Sequence, residues 1–403
     1  MSKLEELIQE LCPDGVETFP LEECCNILDK KRKPVTKNSR EKGEYPYYGA
    51  NGVQDYVSDY IFNGKFVLVG EDGSVITKSG TPVVTWAEGK IWVNNHAHVI
   101  EEKSGTMLRY LYFYIQTIDV TSLIHGNVPK LTGRDFRSLK IALPPLEIQR
   151  EIVSILDNFT ELTAELTAEL TARKTQYTYY RDKLLANSYK GEIKQLEECC
   201  DSIADGDHQA PPKADSGVPF ITISDIDERH EINLNVTKYV PDEYYNRLAD
   251  KRRPQKGDVL YTVVGSYGIP VYISENKRFV FQRHIAILRP NNAVIDSRYL
   301  YHAMNGTAFH RQADLAAKGA AQKTIGLASL AKMTVPVPPL DVQNRIVNVL
   351  DNFEKICSDL NIGLPAEIEA RQKQYEYYRD KLLTFAETGN TILNGTERNG
   401  TEL

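Results

Sequence analysis

The sequence predicts an α+β fold with two pseudo-repeated mixed α/β domains and a long two-helix coiled coil. Two observations lead to this prediction. The chain of 403 residues carries one ordered series of motifs twice, with a period of roughly 190 residues. Long helical patterns also alternate with stretches rich in β-branched and aromatic residues, bounded by glycine, asparagine and proline. The length suits two or three domains rather than one.

The internal repeat is clearest in two helical segments. LPPLEIQREIVSILDNF at 143–159 returns as VPPLDVQNRIVNVLDNF at 337–353, and TQYTYYRDKLL at 175–185 returns as KQYEYYRDKLL at 373–383. The shorter motifs LEECC and RYLY also occur twice, in the same order. The stretches between these segments share only such landmarks. We therefore predict one duplicated scaffold that presents two different surfaces.

The repeated segments are predicted to be helices that pair with each other. Residues 146–187 contain neither proline nor glycine, and their apolar residues recur at spacings close to three and four. Such a helix would be about 60 Å long, and a helix of this length needs a partner. The obvious partner is its own repeat, 340–386, in which Gly363 and Pro365 predict a break or kink. The residues predicted to pair the helices are Leu156, Phe159, Leu162, Leu166, Leu170, Leu350 and Phe353.

One stretch of the first helix, ELTAELTAELTA at 161–172, repeats a four-residue unit. Alanine and leucine favour helix, and Glu169 can pair with Arg173 four residues later. Each added unit would lengthen the helix by about 6 Å and rotate the residues that follow by about 40°. The number of units therefore sets the length of this helix.

These patterns divide the chain into six segments. They are an N-terminal helical segment at 1–14, the first mixed domain at 15–143, a central helix with the tetrapeptides at 144–189, the second mixed domain at 190–336, a distal helix at 337–386, and a flexible C-terminal tail at 387–403. Within the mixed domains, runs such as YIFNGKFVLVG and GDVLYTVVG are predicted strands, and RYLY opens a short helix in each.

Composition argues against a membrane protein and against a secreted one. No stretch approaches the roughly 18 apolar residues of a membrane span, and the start, MSKLEELIQELC, lacks the basic and apolar regions of a signal peptide. A cytoplasmic location is therefore predicted. The six cysteines include two adjacent pairs, which are poor chelators compared with a C-x-x-C pattern. Buried or reduced thiols are favoured over structural zinc, and no metal site is predicted.

No catalytic site is predicted. Asp242, Glu275 and Lys277 are similar in order to the carboxylate–lysine pattern of metal-dependent nucleases, but the pattern is short and the first half lacks an equivalent. His96 and His284 occupy equivalent strand positions, where a structural role is the more frequent one. A nuclease and a structural coiled-coil scaffold are the two alternative functions.

The features that remain suit binding to double-stranded DNA. The net charge is −7, but residues 30–42 hold seven basic side chains against Glu41, and residues 247–256 hold five against Asp250. Lysine and arginine neutralise phosphates, whereas asparagine, glutamine and arginine can read base edges. A single basic loop is more often only solvated. The enrichment in both divergent domains favours DNA.

Two sets of side chains are the candidates for contact with DNA. In the first domain they are Lys30, Lys31, Arg32, Lys33, Lys37, Tyr47, Tyr48, Asn51, Lys130 and Arg134. In the second domain they are His208, Gln209, Lys213, Arg252, Arg253, Lys256, Tyr267, Lys318, Gln322 and Lys323.

In its whole-chain organisation the sequence resembles the specificity subunit of type I restriction-modification systems. The motifs that carry the resemblance are PPLEIQREIV and PPLDVQNRIV, the paired QYxYYRDKLL ends, the DGDH loop at 205–208 and the tetrapeptides. The tetrapeptides are similar to those of a type IC-like subgroup. The resemblance covers the whole chain.

The resemblance implies a non-catalytic subunit whose two target-recognition domains each read one half of a split, asymmetric DNA site. It implies that the helices form an antiparallel coiled coil that separates the domains, and that their pairing residues also serve to dock two methyltransferase subunits. Those subunits would bind S-adenosylmethionine and methylate adenine N6, and restriction subunits would add translocation and cleavage with ATP and Mg. This chain would bind no cofactor itself. The number of tetrapeptides would set the spacer between the half-sites.

Overall fold

The protein is described by a computed structural model, which covers residues 3–73, 75–124, 128–187, 192–206, 211–227, 229–320, 322–358 and 363–388. The chain forms two compact units. The first consists of Met1–Glu165 and Glu369–Leu403, and the second is Leu166–Ile368. Each unit therefore combines one divergent domain with the first half of one repeated helical segment and the second half of the other.

The first unit is built around a six-stranded mixed sheet. Its elements are, in chain order, α1 (Lys3–Leu11), β1 (Thr18–Pro20), α2 (Leu21–Cys24), β2 (Asn26–Ile27), β3 (Lys42–Gly49), β4 (Gly52–Val57), β5 (Phe62–Gly70), β6 (Val84–Val93), β7 (Ala97–Glu101), α3 (Leu108–Ile115), α4 (Gly133–Ser138), β8 (Lys140–Ala142) and the start of α5 (Leu146–Asn187). The sheet has the strand order β2-β7-β5-β6-β3-β4, in which β3 and β6 are parallel neighbours. β1 and β8 form a separate antiparallel pair.

The second unit repeats this plan with a more divided sheet. After the end of α5 its elements are β9 (Glu192–Gln195), α6 (Leu196–Cys199), β10 (Cys200–Asp205), β11 (Val218–Ile221), β12 (Tyr239–Val240), α7 (Asp242–Arg247), β13 (Val259–Thr262), β14 (Pro270–Tyr272), β15 (Val280–Phe281), β16 (Ile285–Pro290), α8 (Ser297–Met304), α9 (Thr307–Ala316), α10 (Leu327–Ala331), β17 (Thr334–Val337), α11 (Leu340–Ser358) and α12 (Leu364–Thr388), whose later part belongs to the first unit. The strands form sheets of order β10-β16-β13-β14, β12-β11-β15 and β17-β9.

The duplication read from the sequence is confirmed where each mixed domain meets its long helix. β1 pairs with β8 just before α5, and β9 pairs with β17 just before α11. The two RYLY motifs both open a buried helix, α3 and α8. In each case the first tyrosine hydroxyl donates to a backbone carbonyl of the paired strand, from Tyr110 to Ala142 at 2.8 Å and from Tyr299 to Pro336 at 3.0 Å. The α+β class with two mixed repeats is therefore correct.

A buried glutamine in each unit joins the start of the long helix to the loop before the RYLY helix. Gln149 and Gln343 are the glutamines of the two PPLxxQ motifs, and both are 0% exposed. The Gln149 side-chain oxygen accepts from the Met107 N–H at 2.9 Å, and its amide donates to the Pro144 carbonyl at 2.7 Å. Gln343 makes the two equivalent bonds at 2.7 Å each. A glutamine therefore makes the same hydrogen bonds at both joints between the long helix and the domain.

An arginine–aspartate pair repeats in the same way. Arg109 donates to Asp157 at 2.7 Å, and Arg298 donates to Asp351 at 2.8 Å. Burial alone would raise the pKa of the Asp351 carboxyl, but the hydrogen bond with His302 and the Arg298 charge outweigh it, so that the pKa is lowered. The pair links the RYLY helix to the long helix in each unit.

In each unit the two repeated helical segments make an aromatic contact with each other. In the first, Phe159 of α5 stacks on Tyr378 of α12, with ring centroids 5.4 Å apart. In the second, Phe353 of α11 stacks on Tyr180 of α5 at 5.8 Å. In the repeat, Phe159 corresponds to Phe353 and Tyr378 corresponds to Tyr180. The predicted pairing of the repeated segments is therefore correct.

The direction of the pairing follows from the second unit. Cys357 lies one turn after Phe353 in α11. Burial raises the pKa of the Cys357 thiol, and the charge of Lys174, which precedes Tyr180 in α5, partly offsets this effect. Later residues of α11 thus face earlier residues of α5, so the helices run antiparallel.

The predicted pairing residues differ in burial. Leu156 and Leu350 are 0% exposed, and Phe159 and Phe353 are half-buried in their stacks. Within the tetrapeptide stretch, Leu166 and Leu170 are half-buried and Leu162 is exposed. A period of four drifts around a helix of 3.6 residues per turn, so these leucines cannot all face one partner. The packed parts of α5 are its two ends.

The second repeated segment is interrupted, as Gly363 and Pro365 predict. α11 ends at Ser358 and α12 begins at Leu364, with Gly363 outside both helices. Among the described helices, none combines the length and the apolar character needed to span a membrane.

Replacing Gln343 with leucine should lower the free energy of unfolding by about 2–4 kcal/mol, because buried backbone groups would lose their partner. Chemical denaturation followed by circular dichroism measures the change. Asn344→Leu alters an exposed neighbour on the same helix and should change the stability by less than about 0.5 kcal/mol. Equal effects of the two substitutions would contradict the role given to Gln343.

Candidate functional site

The basic segment of the first unit is anchored by one of its own arginines. Arg32 Nη1 donates to the Glu71 carboxylate at 2.6 Å and to the Ala97 carbonyl at 2.8 Å, and its Nε donates to the Asp29 carbonyl at 3.0 Å. The Arg32 side chain is only 13% exposed. This geometry favours an anchoring role for Arg32 over contact with a phosphate.

Asp29 completes the anchor. Its carboxylate accepts from the Val99 N–H at 3.0 Å and contacts His98 Nδ1 at 2.7 Å. Burial alone would raise the pKa of the Asp29 carboxyl, but the His98 hydrogen bond and the Arg32 charge outweigh it, and the pKa is lowered. The group is therefore a carboxylate at neutral pH and holds Arg32 in place.

The anchor keeps the lysines of this segment at the surface, beside the turn at 94–96. The Lys33 N–H donates to the Val93 carbonyl at 3.2 Å, and the Lys33 carbonyl accepts from Trp92 Nε1 at 2.6 Å. The backbone is therefore fixed while the side chains point outward. The exposed lysines are Lys30, Lys31, Lys33 and Lys37.

Tyr47 and Tyr48 are buried in the sheet. Tyr47 is 1% exposed, its hydroxyl accepts from the Val35 N–H at 3.0 Å, and the Arg40 guanidinium lies over its ring at 4.1 Å. Tyr48 is 9% exposed. Burial favours a structural role for both tyrosines, whereas Asn51, in the β3–β4 turn, is exposed.

Five polar side chains of the first unit form a continuous row, which we call the polar row: Gln54, Asn94, His96, Asp72 and Lys130. Gln54 Oε1 accepts from Asn94 Nδ2 at 3.4 Å, and Asn94 Oδ1 accepts from the His96 N–H at 2.8 Å. His96 Nδ1 contacts the Asp72 carboxylate, which lies 3.9 Å from Lys130 Nζ. The row joins strand β4, the β6–β7 turn, the loop after β5 and the segment before α4.

The polar row reaches the surface through Gln54, His96 and Lys130, whereas Asn94 is only 3% exposed, and the row lies next to the Arg32 anchor. The His96 side chain is 48% exposed, and the Lys130 side chain is 46% exposed. Arg32 also donates to the carbonyl of Asn95, the residue before His96, at 3.4 Å. Arg134 is exposed at the start of α4. Lysines beside a row of hydrogen-bonding groups can contact phosphates while the row reads bases.

In the second unit, Arg289 holds the basic loop at 250–256. It makes two bonds of 3.1 Å to the Asp258 carboxylate, one of 2.6 Å to Asp250, and one of 3.0 Å to the Arg253 carbonyl. Asp258 is 2% exposed. Arg289 therefore anchors this loop, as Arg32 anchors the basic segment of the first unit.

The predicted DNA contacts on this loop differ in exposure. The Lys256 side chain is exposed, and its N–H donates to Asn276 at 2.8 Å. Arg252 and Arg253 are half-buried, and Arg252 lies 3.7 Å from Asp205. Lys256 is therefore the best placed of the three to meet a phosphate.

Backbone pairing brings further predicted contacts of the second unit together. The Gly265 N–H donates to the Lys323 carbonyl at 2.9 Å, and the Tyr267 hydroxyl donates to Asp314 at 2.9 Å. The first unit joins its loop after β5 to the segment before α4 in a similar way, through Gly73 N–H and the Pro129 carbonyl at 3.0 Å. The exposed candidates of the second unit also include Lys213, Lys318, Gln322 and Lys323. His208 and Gln209 lie outside the described residues.

Two groups of side chains have ligand atoms close enough together for a metal ion: Asp29 with Glu71 and His98, and His302 with Asp351 and Glu354. In each group an arginine already pairs with a carboxylate, Arg32 in the first unit and Arg298 in the second. The guanidinium supplies the positive charge that a metal would bring. We therefore assign no metal to either group.

The residues of the nuclease alternative are engaged in separate surface ion pairs. Asp242 pairs with Arg278 and Glu275 pairs with Lys277, both at 2.6 Å. Within the part of the chain that the structure describes, neither carboxylate belongs to a group of three possible metal ligands. This geometry does not favour a metal-dependent nuclease.

Sequence reasoning did not identify the anchors or most of the polar row. Asp72 lies in the VGEDG motif, and Asn94 and His96 lie in the NNH turn. These loops follow strands directly, where polar side chains often carry function. The position of these polar residues directly after strands could have marked them as candidates. The local sequence, however, does not show that the two loops lie next to each other.

Comparison with known proteins gives a consistent result. A family model described as the type I restriction modification DNA specificity domain matches residues 13–173 and again residues 190–370. A putative type I restriction enzyme specificity subunit of Haemophilus influenzae is 35% identical over 399 residues, which cover 95% of this chain and 98% of the relative. A type I restriction enzyme specificity subunit of Escherichia coli is 34% identical over 311 residues, which cover 70% of this chain and 72% of the relative.

Solved structures support the fold. The S subunit of a type I restriction-modification system from M. genitalium matches with a TM-score of 0.53 at 14% identity, over 92% of this chain and 97% of that one. A chain from a structural study of complex assembly and conformational transition in the type I system matches with a TM-score of 0.55 at 18% identity, over 93% and 98%. At these identities the likeness concerns the fold alone.

Replacing Arg32 with methionine should lower the free energy of unfolding by about 2–4 kcal/mol, because Asp29 and Glu71 would stay buried without their partner. Thermal or chemical denaturation measures the loss. Lys31→Met, the matched control, should leave stability within about 0.5 kcal/mol. It should instead weaken binding to duplex DNA and reduce the salt dependence by about one phosphate contact. A stable Arg32→Met variant would contradict the anchor.

Proposed function

Because the chain belongs to the type I restriction-modification DNA specificity family, we propose that each of its two units reads one half of a bipartite, asymmetric DNA site. One observation carries this proposal. The units share their buried framework, including Gln149 and Gln343, but present different basic and polar side chains. A common scaffold with two different surfaces fits two readers of two different sequences. Linking them raises the affinity through effective concentration.

The exposed side chains divide into two roles in this proposal. Lys31 and Lys33 in the first unit, and Lys256 and Lys323 in the second, neutralise phosphates. Gln54 and His96, two exposed members of the polar row, read base edges, and Lys130 at the end of the row contacts a phosphate. The anchoring arginines support these groups without touching DNA.

The chain acts, in this proposal, as the recognition subunit of a larger complex. The paired helices dock two methyltransferase subunits, which bind S-adenosylmethionine and methylate adenine. Restriction and translocase subunits bring ATP and Mg. Support comes from the repeat of the helical segments, since a duplicated segment presents equivalent surfaces to two copies of one partner. The chain itself is non-catalytic and works in the cytoplasm, where the DNA is.

The helix α5 sets the spacer between the half-sites, in this proposal, as in a type IC-like subgroup. It has 42 residues, and the tetrapeptides at 161–172 contain no fully buried residue. Thr163 and Thr171 donate to the carbonyls of Phe159 and Thr167 in the preceding turn, so their hydroxyls need no outside partner. Units can therefore be added or removed there without opening a core.

The proposal is tested by mapping modified adenines. The chain, expressed with its methyltransferase partner in a host without other adenine methylation, should place N6-methyladenine in one split motif with two different halves. Long-read sequencing detects this modification. The partner expressed alone is the control and should give no motif.

A complex that assembles but leaves adenines unmodified and binds duplex DNA without salt dependence would favour the structural scaffold instead. DNA cleavage by the purified chain with Mg, abolished by Glu275→Ala, would favour the nuclease. Either result would overturn the proposal.

Deleting Thr167–Leu170 removes one tetrapeptide unit. The helix shortens by about 6 Å and the following residues rotate by about 40°, close to the rotation between neighbouring base pairs. The preferred spacer should become about one base pair shorter, with both half-sites unchanged. The same adenine mapping measures this. An unchanged spacer in an assembled complex would exclude the role given to α5.

A further inference from the structure

The polar row holds one histidine in a defined position. The His96 N–H donates to Asn94 Oδ1 at 2.8 Å, and the His96 carbonyl accepts from the Glu71 N–H at 2.8 Å. Its ring contacts the Asp72 carboxylate through Nδ1. Three contacts thus hold the backbone and the ring of His96 in place, although its side chain is 48% exposed.

The Asp72 contact also selects the tautomer of His96. A carboxylate can only accept a hydrogen bond, so Nδ1 must carry the hydrogen. In the neutral ring, Nε2 then keeps a lone pair and can only accept. Among the described residues, Nε2 has no hydrogen-bond partner. With this ring neutral, the first unit therefore presents a fixed, exposed acceptor.

A fixed acceptor discriminates between bases. In the major groove, adenine and cytosine present an exocyclic amine, whereas guanine and thymine present a carbonyl oxygen. An acceptor attracts the amine and repels the oxygen. The basic side chains around the row, Lys31, Lys33 and Lys130, are placed to hold phosphates while this contact forms.

We infer that His96 Nε2 reads the exocyclic amine of an adenine or cytosine in one half-site, and that Asp72 is the positioning residue that fixes this preference. The inference rests on the proposed function and assigns a base class to one of its contacts.

The second unit lacks this arrangement at the equivalent position. His284 occupies the same place in the backbone, because the Val263 N–H donates to its carbonyl at 2.9 Å as Glu71 does to His96. Burial, followed by the charge of Arg283, lowers the pKa of the His284 imidazole. No carboxylate lies within ion-pair distance of it among the described residues. The acceptor is thus a property of one unit, as two different half-sites require.

Asp72→Asn gives the sharpest test. Lys130 Nζ lies 3.9 Å from Asp72 Oδ2 and would attract the amide oxygen, which turns the amide nitrogen towards His96. The amide nitrogen donates to Nδ1, so the hydrogen of the ring moves to Nε2, which becomes a donor. The variant should then prefer guanine or thymine where the parent protein prefers adenine or cytosine.

The experiment uses the chain assembled with its methyltransferase partner. Competition binding compares duplexes in which each position of both half-sites is replaced by each base. Asp72→Asn should shift the preference at one position of one half-site by about two- to tenfold, and His96→Ala should abolish the preference there. Asp14→Asn removes the same charge from an exposed turn and should change nothing. Unchanged preferences at the other positions of the same half-site show that the first unit of each variant is folded.

Retention of the adenine or cytosine preference in both variants would overturn the inference, as would equal weakening for all bases. A His96-dependent preference for guanine or thymine in the parent protein would also overturn it. These outcomes leave the proposed function intact. A parent complex without any sequence preference would overturn both.

Discussion

The architecture of each unit depends on one buried side-chain amide that satisfies three backbone groups at once. Gln149 accepts from one N–H before the RYLY helix and donates to the carbonyls of Pro144 and Gly105. Gln343 does the same in the second unit. Leaving any of these groups unpaired in a dry core is costly. The long helix can therefore start in only one position relative to the domain that precedes it.

The surfaces use charge in an analogous way. Arg32 and Arg289 are basic residues of the two mixed domains, yet their guanidinium groups turn inward to carboxylates. A guanidinium has five donors in a rigid fork and can fasten a loop at several points. The lysines around them keep their ammonium groups in water. The arginine thus fixes the backbone of each basic loop, and the lysines place positive charge at its surface.

Sequence alone was sufficient for the features that depend on local pattern. The duplication, the uninterrupted α5 and the break before α12 follow from repeated motifs, helical periodicity and the positions of Gly363 and Pro365. The division of α5 between two units at Glu165 could not be seen, because the helical pattern does not change there. Tertiary packing decides it.

The candidate site was predicted less completely. Lys31, Lys256 and Lys323 are exposed as expected. Tyr47 is buried, because its neighbours in the sheet cover it, and a tyrosine in a strand gives no local sign of which side it faces. The polar row comes from four separate segments of the chain, so its members are close only after folding. Ion pairs such as that of Arg32 with Glu71 are invisible for the same reason.

The repeated joint has a consequence for how new versions of such a chain can arise. Each domain meets its helix through a glutamine, an arginine–aspartate pair and a tyrosine–carbonyl bond of the same kind. One difference is compatible with exchange, since His302 stands where Phe113 does and bonds to an aspartate that both copies possess. Genetic recombination within the repeated segments would therefore join a foreign domain to a helix whose contact residues it already matches. Whole domains with different surfaces can therefore be exchanged while the buried hydrogen bonds of the joint stay the same.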